Sequence, residues 1–102
     1  MIQCYLGLGS NLNTPARQLR NAINALRALP CTQVIKVAPF YVNDALGRKT
    51  QPRFCNTVVE INTTLTPQLL LKKCQFIESQ QGRVRKVKWG ARTLDIDILY
   101  FG

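Results

Sequence analysis

Twice along this chain a Thr-Pro step follows a strand-like run and opens a stretch of helical spacing, and this repeat of grammar constrains the fold more than any other feature. Thr14-Pro15 precedes Leu19, Ala22, Ile23, Leu26 and Leu29, and Thr66-Pro67 precedes Leu70, Cys74 and Ile77. Threonine offers a capping oxygen, and proline sets a helical φ where an N–H would go unbonded anyway. The first helix is expected to stop at Pro30 and the second at Gly82. The segments around them alternate instead. Residues 2–8 place apolar side chains at every second position, 34–38 are rich in β-branched residues, and 54–63 divide cleanly by parity. Cys55, Thr57, Val59 and Ile61 share one face there, and Phe54, Asn56, Val58 and Glu60 the other. A last strand over 93–101 puts Leu94, Ile96, Ile98 and Tyr100 on one face and Asp95, Asp97 and Leu99 on the other. The stretch 39–53 has no periodicity, which in so small a domain marks a functional or mobile connection. The order βαββαβ, with neither repeat nor linker, predicts an α+β ferredoxin-like plait. Two helices would lie on one face of a mainly antiparallel four-stranded sheet, with residues 1–102 forming a single domain. That fold hosts many chemistries, so function must come from the site.

Composition narrows the chemistry. Fourteen Lys and Arg stand against five Asp and Glu, for a formal charge of +9, and there is no histidine. A phosphate-rich ligand is the first expectation. Histidine-based triads and zinc sites are excluded within these residues. Arg17, Arg20 and Arg27 fall off the first helix's apolar stripe and read as a solvated face. Cys4, Cys31, Cys55 and Cys74 lie far apart without a CxxC pair, and no basic-then-apolar leader opens the chain, so they are expected to be buried thiols of a soluble, cytoplasmic protein. No apolar run approaches the ~18 residues of a membrane span.

Among the few acidic residues, Asp95 and Asp97 stand out. Two positions apart on a strand, they project to one face, away from Ile96 and Ile98. Like charges held together favour a cation between them, and carboxylates without histidine or thiolate suit magnesium. The alternative is an exposed polar strand face with two incidental aspartates. Immediately upstream, Arg83, Arg85, Lys86, Lys88 and Arg92 surround Trp89 in a glycine-flanked loop. Metal on one side and guanidinium forks on the other are what a magnesium triphosphate needs; by themselves, the cations would read equally as a solvated basic loop or a nucleic-acid patch. Glu78 closes the second helix, where a carboxylate opposes the helix dipole, so either a functional partner or a surface ion pair would account for it. Phe54 and Asn56 share a face and offer a stacking ring and an amide for a flat heterocycle; a strand-edge aromatic with a turn-like Asn is the plainer reading. Gly7-x-Gly9-Ser10-Asn11 would let a ligand approach the backbone, yet matches neither the Walker pattern nor GxGxxG.

Taken together, Gly9-Ser10-Asn11-Leu12, Gln81-Gly82-Arg83-Val84-Arg85 and, above all, the run Trp89-Gly90-Ala91-Arg92-Thr93-Leu94-Asp95-Ile96-Asp97-Ile98-Leu99 resemble the 6-hydroxymethyl-7,8-dihydropterin pyrophosphokinases of folate biosynthesis. The resemblance covers essentially the whole chain and implies a ferredoxin-like core. It also implies transfer of pyrophosphate from ATP to the pterin's hydroxymethyl oxygen, with release of AMP. By the same resemblance Asp95 and Asp97 hold two magnesium ions, and Arg83 and Arg92 are catalytic cations. Arg85, Lys86 and Trp89 belong to a loop closing over ATP, with Gln75, Glu78 and Ile98 beside the nucleotide. Asn43, Leu46, Phe54 and Asn56 line the pterin pocket. The implied partners are these two small molecules, acting on a monomer, with neither nucleic acid nor membrane. Phe54 stands where the family commonly has Tyr, Asn43-Asp44-Ala45-Leu46 replaces a more proline-rich loop, and the basic loop is one residue shorter than in some relatives. Members of the family continue past the position of Gly102, supplying a second stacking aromatic and further nucleotide contacts; the resemblance therefore implies an amino-terminal portion.

Two other readings stay open on the sequence. A truncated nucleotide-binding domain without catalysis fits the same motifs. An RNA-binding module shares the βαββαβ order and the basic charge, although Phe54-Cys55-Asn56-Thr57-Val58-Val59 is not an RNP1 sequence and strand carboxylates would repel a phosphate backbone lacking metal.

Overall fold

A computed structural model describes residues 1–12, 14–43, 53–82 and 93–102. Seven elements run in order along the chain: β1 (Ile2–Ser10), α1 (Pro15–Arg27), β2 (Thr32–Val37), β3 (Tyr41–Asn43), β4 (Phe54–Thr63), α2 (Pro67–Gln80) and β5 (Asp95–Phe101). The sheet runs β2-β4-β1-β5 with every pairing antiparallel, and β3 adds to β4 beside β2. This is the ferredoxin-like α+β arrangement. β1 is central because its alternation buries Cys4, Leu6 and Leu8 under the helices. Leu19, Ala22, Ile23 and Leu26 of α1 and Leu70, Cys74 and Ile77 of α2 meet that face, joined by Val59 and Ile61 of β4 and Leu94 and Ile96 at β5. The opposite face of the sheet is open. On it Tyr5 and Tyr100 pack with ring centroids 5.9 Å apart, and Gln3 donates to Glu60 over 3.0 Å.

Several expectations change in detail. The sheet has five strands rather than four: β3 lies within the aperiodic stretch and all three of its residues are exposed, held by pairing with β4 and by a side-chain bond between Asn43 and Asn56, which leaves no burial period to read. β2 begins at Thr32, ahead of its β-branched run. Thr66 caps α2 as expected, its hydroxyl accepting from Leu69 N–H at 3.2 Å. Thr14 does not cap α1. It sits in the left-handed region at φ 60° and makes no side-chain cap, so the helix starts on Pro15 with the backbone bond from Gln18 N–H to Thr14 carbonyl. α1 ends at Arg27, short of Pro30, while α2 stops where Gly82 turns to φ +79°. Cys31 is exposed, not buried, because it occupies the turn into β2 at φ 57°; Cys4, Cys55 and Cys74 are buried. Tyr100 lies on the open face, not with Ile96. The register between β1 and β5 shifts between Tyr5 and Leu6, so Leu6 opposes Ile98 while Tyr5 opposes Tyr100, and the extra residue reverses the parity of the strand beyond it. Arg17, Arg20 and Arg27 are exposed, as the helix pattern predicted.

Candidate active site

Residues of β1, β4 and β5, with Tyr41 of β3, build a cleft of about 260 Å³ on the open face. Its floor is β1, where Gly7 and Gly9 replace side chains with hydrogen. β4 supplies Phe54 and Asn56 on one side, and β5 supplies Asp95 and Asp97 on the other. The register makes the arrangement specific: Gly9 pairs with Asn56 across one ladder and with Asp95 across the other, and Gly7 pairs likewise with Val58 and Asp97. The aromatic–amide pair and the carboxylate pair therefore face each other over a bare strand, roughly two strand spacings or ~10 Å apart by backbone. A flat ligand can lie on that strand and reach both pairs.

Side chains on these two glycines would crowd the cleft's own residues. A Cβ on Gly9 would come within 3.0 Å of Asn56 Oδ1, and one on Gly7 within 3.2 Å of Leu99 Cδ1. Asn56 is steadied from β3, its Nδ2 donating to Asn43 Oδ1. Asn43 pairs with Phe54 in the β3–β4 ladder, so this short strand brings it to the rim.

Asp95 is half-buried and Asp97 exposed. Among the described residues no three His, Cys, Asp or Glu side chains gather as a metal-binding group. Two carboxylates on one strand face suit magnesium nonetheless, because that ion keeps several waters and takes one or two carboxylates together with substrate phosphates. The donor set fits such an ion.

The remaining expected site residues divide. Glu78 is only 6% exposed, so it is not a surface carboxylate, and its Oε2 accepts from Ile96 N–H at 2.8 Å. Its charge is felt by Cys74: burial first, then Glu78 and Cys4, push that thiol from 9.0 up to about 12. Gln75 is exposed on α2, away from the core residues of that helix. Ile98 pairs with Leu6 and packs half-buried against the core. Arg83, Arg85, Lys86, Trp89, Arg92 and Leu46 lie outside the described residues, as does Lys88. The cleft also includes Tyr41 and Leu99, which the sequence reading did not single out as site residues. Leu99 shares strand parity with the two aspartates and could have been found that way; Tyr41, on an unpatterned three-residue strand, carried no signal.

The fold and cleft define a class: a small α+β plait whose one open sheet face carries a heterocycle-sized floor edged by acidic residues. The comparisons make it particular. The sequence profile of the 7,8-dihydro-6-hydroxymethylpterin-pyrophosphokinase (HPPK) family matches residues 5–102, and the chain belongs to that family. It is 50% identical to the 2-amino-4-hydroxy-6-hydroxymethyldihydropteridine pyrophosphokinase of Pseudomonas aeruginosa and 48% identical to that of Haemophilus influenzae, in both cases over 100% of this chain. It spans 64% of the length of each of those proteins. Against the pyrophosphokinase of Pseudomonas putida it is 47% identical over 98% of this chain and 82% of that protein.

Proposed function

We propose that the cleft binds a 6-hydroxymethyl-7,8-dihydropterin and that the protein transfers pyrophosphate to it from ATP, releasing AMP, as a magnesium-dependent step of folate biosynthesis. The observation that carries this reading is the register that sets Phe54 and Asn56 opposite Asp95 and Asp97 across Gly7 and Gly9, in a chain of this family.

The pterin ring lies over the glycine floor, Phe54 stacks on it, and Asn56, steadied by Asn43, reads its polar edge; Leu46 completes the pocket. The hydroxymethyl group then points toward β5. Asp95 and Asp97 would hold magnesium, two ions by the resemblance, and the metal would supply charge neutralisation at the ATP phosphates for an in-line displacement. The pterin hydroxyl oxygen forms a bond to the β-phosphorus and gives up its proton to solvent as the bond from that phosphorus to the α,β-bridging oxygen breaks, and AMP departs. Arg83 and Arg92 stabilise the equatorial and bridging oxygens through forked hydrogen bonds. Arg85, Lys86 and Trp89 close over the nucleotide and exclude water, which would otherwise compete as the nucleophile. Gln75 and Ile98 form the nucleotide's side of the site, and Glu78, the third residue expected there, serves it from behind β5 through its bond to Ile96 N–H. The partners are these small molecules, and the protein works in the cytoplasm as a monomer. No helix among the described residues is long and apolar enough to cross a membrane.

The test is formation of AMP and pterin pyrophosphate from ATP in magnesium, by these 102 residues and by a chain extended to the length of the relatives. Activity that disappears in Asp97→Ala supports the assignment. An extended chain that is inert, or whose activity survives Asp97→Ala, sinks it. An extended chain that is active beside an inert short form identifies the 102 residues as a nucleotide- and pterin-binding portion.

A further inference from the structure

Asp95 is the first residue of β5, and among the described residues β5 lies at the edge of the sheet, paired with β1. Strand ends at a sheet edge are where a ladder opens most readily. A proposed metal-holding pair at such a place therefore needs a second restraint, since a slip of one residue would turn both carboxylates from the open face to the core face. The fold supplies one. The N–H of Ile96, the residue between the two aspartates, donates to Glu78 Oε2 at 2.8 Å. Glu78 reaches it from the last turn of α2 and is itself buried, with Cys74, whose thiol feels its charge, one helical turn earlier.

The position is otherwise unfavourable. A carboxylate in a helix's final turn opposes the macrodipole, and α2 has no basic residue in that turn. Burying a carboxylate adds a desolvation cost that hydrogen bonds or a paired charge must offset. Both costs make sense for a bond to the backbone of the site strand, because a charged acceptor in a dry environment holds an N–H about twice as firmly as a neutral one.

We infer that Glu78 is a positioning residue for the Asp95–Asp97 pair: it clamps the Ile96 N–H of the edge strand, so that both carboxylates stay presented to the cleft, and it acts through β5 rather than by touching nucleotide or metal. The inference rests on the proposed function only in taking that pair as the cation site; the clamp itself is a statement about backbone.

Two measurements separate these. In the wild-type protein, a scalar coupling across the hydrogen bond between Ile96 N and the Glu78 carboxyl carbon, together with slow exchange of the Ile96 amide, reports the clamp with no ligand and no variant; absence of the coupling overturns the proposal. Glu78→Gln and Glu78→Leu are then titrated with Mg²⁺ alone and with Mg²⁺ plus a non-hydrolysable ATP analogue. Gln keeps an accepting oxygen, so its affinities stay within about twofold, whereas Leu exposes the Ile96 amide to exchange and weakens Mg²⁺ binding on the order of tenfold, the loss of one charged hydrogen bond. Amide protection in β1 and β4 is expected to be unchanged in both. Equal losses in Gln and Leu would mean that the charge touches ligand directly, and unchanged binding in Leu would mean that nothing is positioned; either result overturns the proposal. A wild-type protein that shows the coupling but binds no Mg²⁺ overturns the positioning of a cation pair and the metal reading of the function together, and leaves the clamp as a structural bond.

Discussion

A methyl group on Gly9 would stand 3.0 Å from Asn56 Oδ1 and 3.9 Å from Phe54 Cδ1, in a strand whose backbone is ordinary extended conformation, so the objection to alanine there is one of space alone. Gly9→Ala is expected to push the Asn56 amide off its reading position and to weaken pterin binding by roughly tenfold, about one misplaced hydrogen bond. The nucleotide analogue should bind unchanged. Parallel titrations with each ligand check this, and equal weakening of both would place the damage in the sheet rather than the pocket. Cys31 presents the opposite situation, space without conformational ease. Its φ of 57° is held by hydrogen bonds from Thr64 N–H and the Thr63 hydroxyl to its carbonyl, at 3.0 and 3.2 Å. A non-glycine residue pays on the order of 1 kcal/mol for that region, and asparagine tolerates it best. Cys31→Asn should therefore raise the free energy of unfolding by about 0.5 kcal/mol in urea titration.

At the level of elements, the two Thr-Pro steps look alike in sequence and behave differently. Thr66→Ala removes a real cap and should cost about 1 kcal/mol, while Thr14→Ala removes no side-chain bond and should change stability little. Equal effects in urea titration would contradict the geometry. The difference was not legible because capping depends on the backbone arriving in extended conformation, as at Thr66 with φ −69° and ψ 158°, and Thr14 instead arrives left-handed. The helices themselves were legible. Their apolar spacing reflects burial against one sheet face, and burial is what a sequence period records. β4 was legible for the same reason, its residues alternating half-buried and buried from Phe54 to Thr63. β3 was not, because its exposed residues owe their place to pairing with β4 rather than to burial. The bulge in β5 escaped as well: an added residue in a ladder is set by the partner strand's register, so Tyr100 could be assigned to the wrong face while Asp95 and Asp97, ahead of the shift, were assigned correctly.

For the whole molecule, the core couples stability to pH through a group the proposed chemistry does not use. Cys74 is held protonated, its pKa raised from 9.0 to about 12, chiefly by burial and then by the nearby Glu78 and Cys4. Unfolding returns it to water, where it loses its proton above its ordinary value. The unfolded state thus binds fewer protons than the folded one between those limits. The contribution is complete below about pH 9 and is lost progressively as pH rises toward about 12. Urea midpoints should fall over that alkaline window, and Cys74→Ala, though less stable at neutral pH, should show a shallower fall. The same packing links α2, β5 and the cleft, since Glu78 both raises Cys74 and binds Ile96 N–H.

By itself, the sequence determined the order of the long elements, the buried faces of both helices and of β1 and β4, and the shared face of Phe54 with Asn56 and of Asp95 with Asp97, because those are local periodicities of about 2.0 and 3.6 residues. Only the tertiary structure decided that the two pairs face one another across Gly7 and Gly9, that Asn43 steadies Asn56 from a fifth strand, and that Glu78 grips the strand between the aspartates. Each of these depends on which residues far apart in the chain become neighbours in a ladder, and strand register is a long-range choice that no local period encodes.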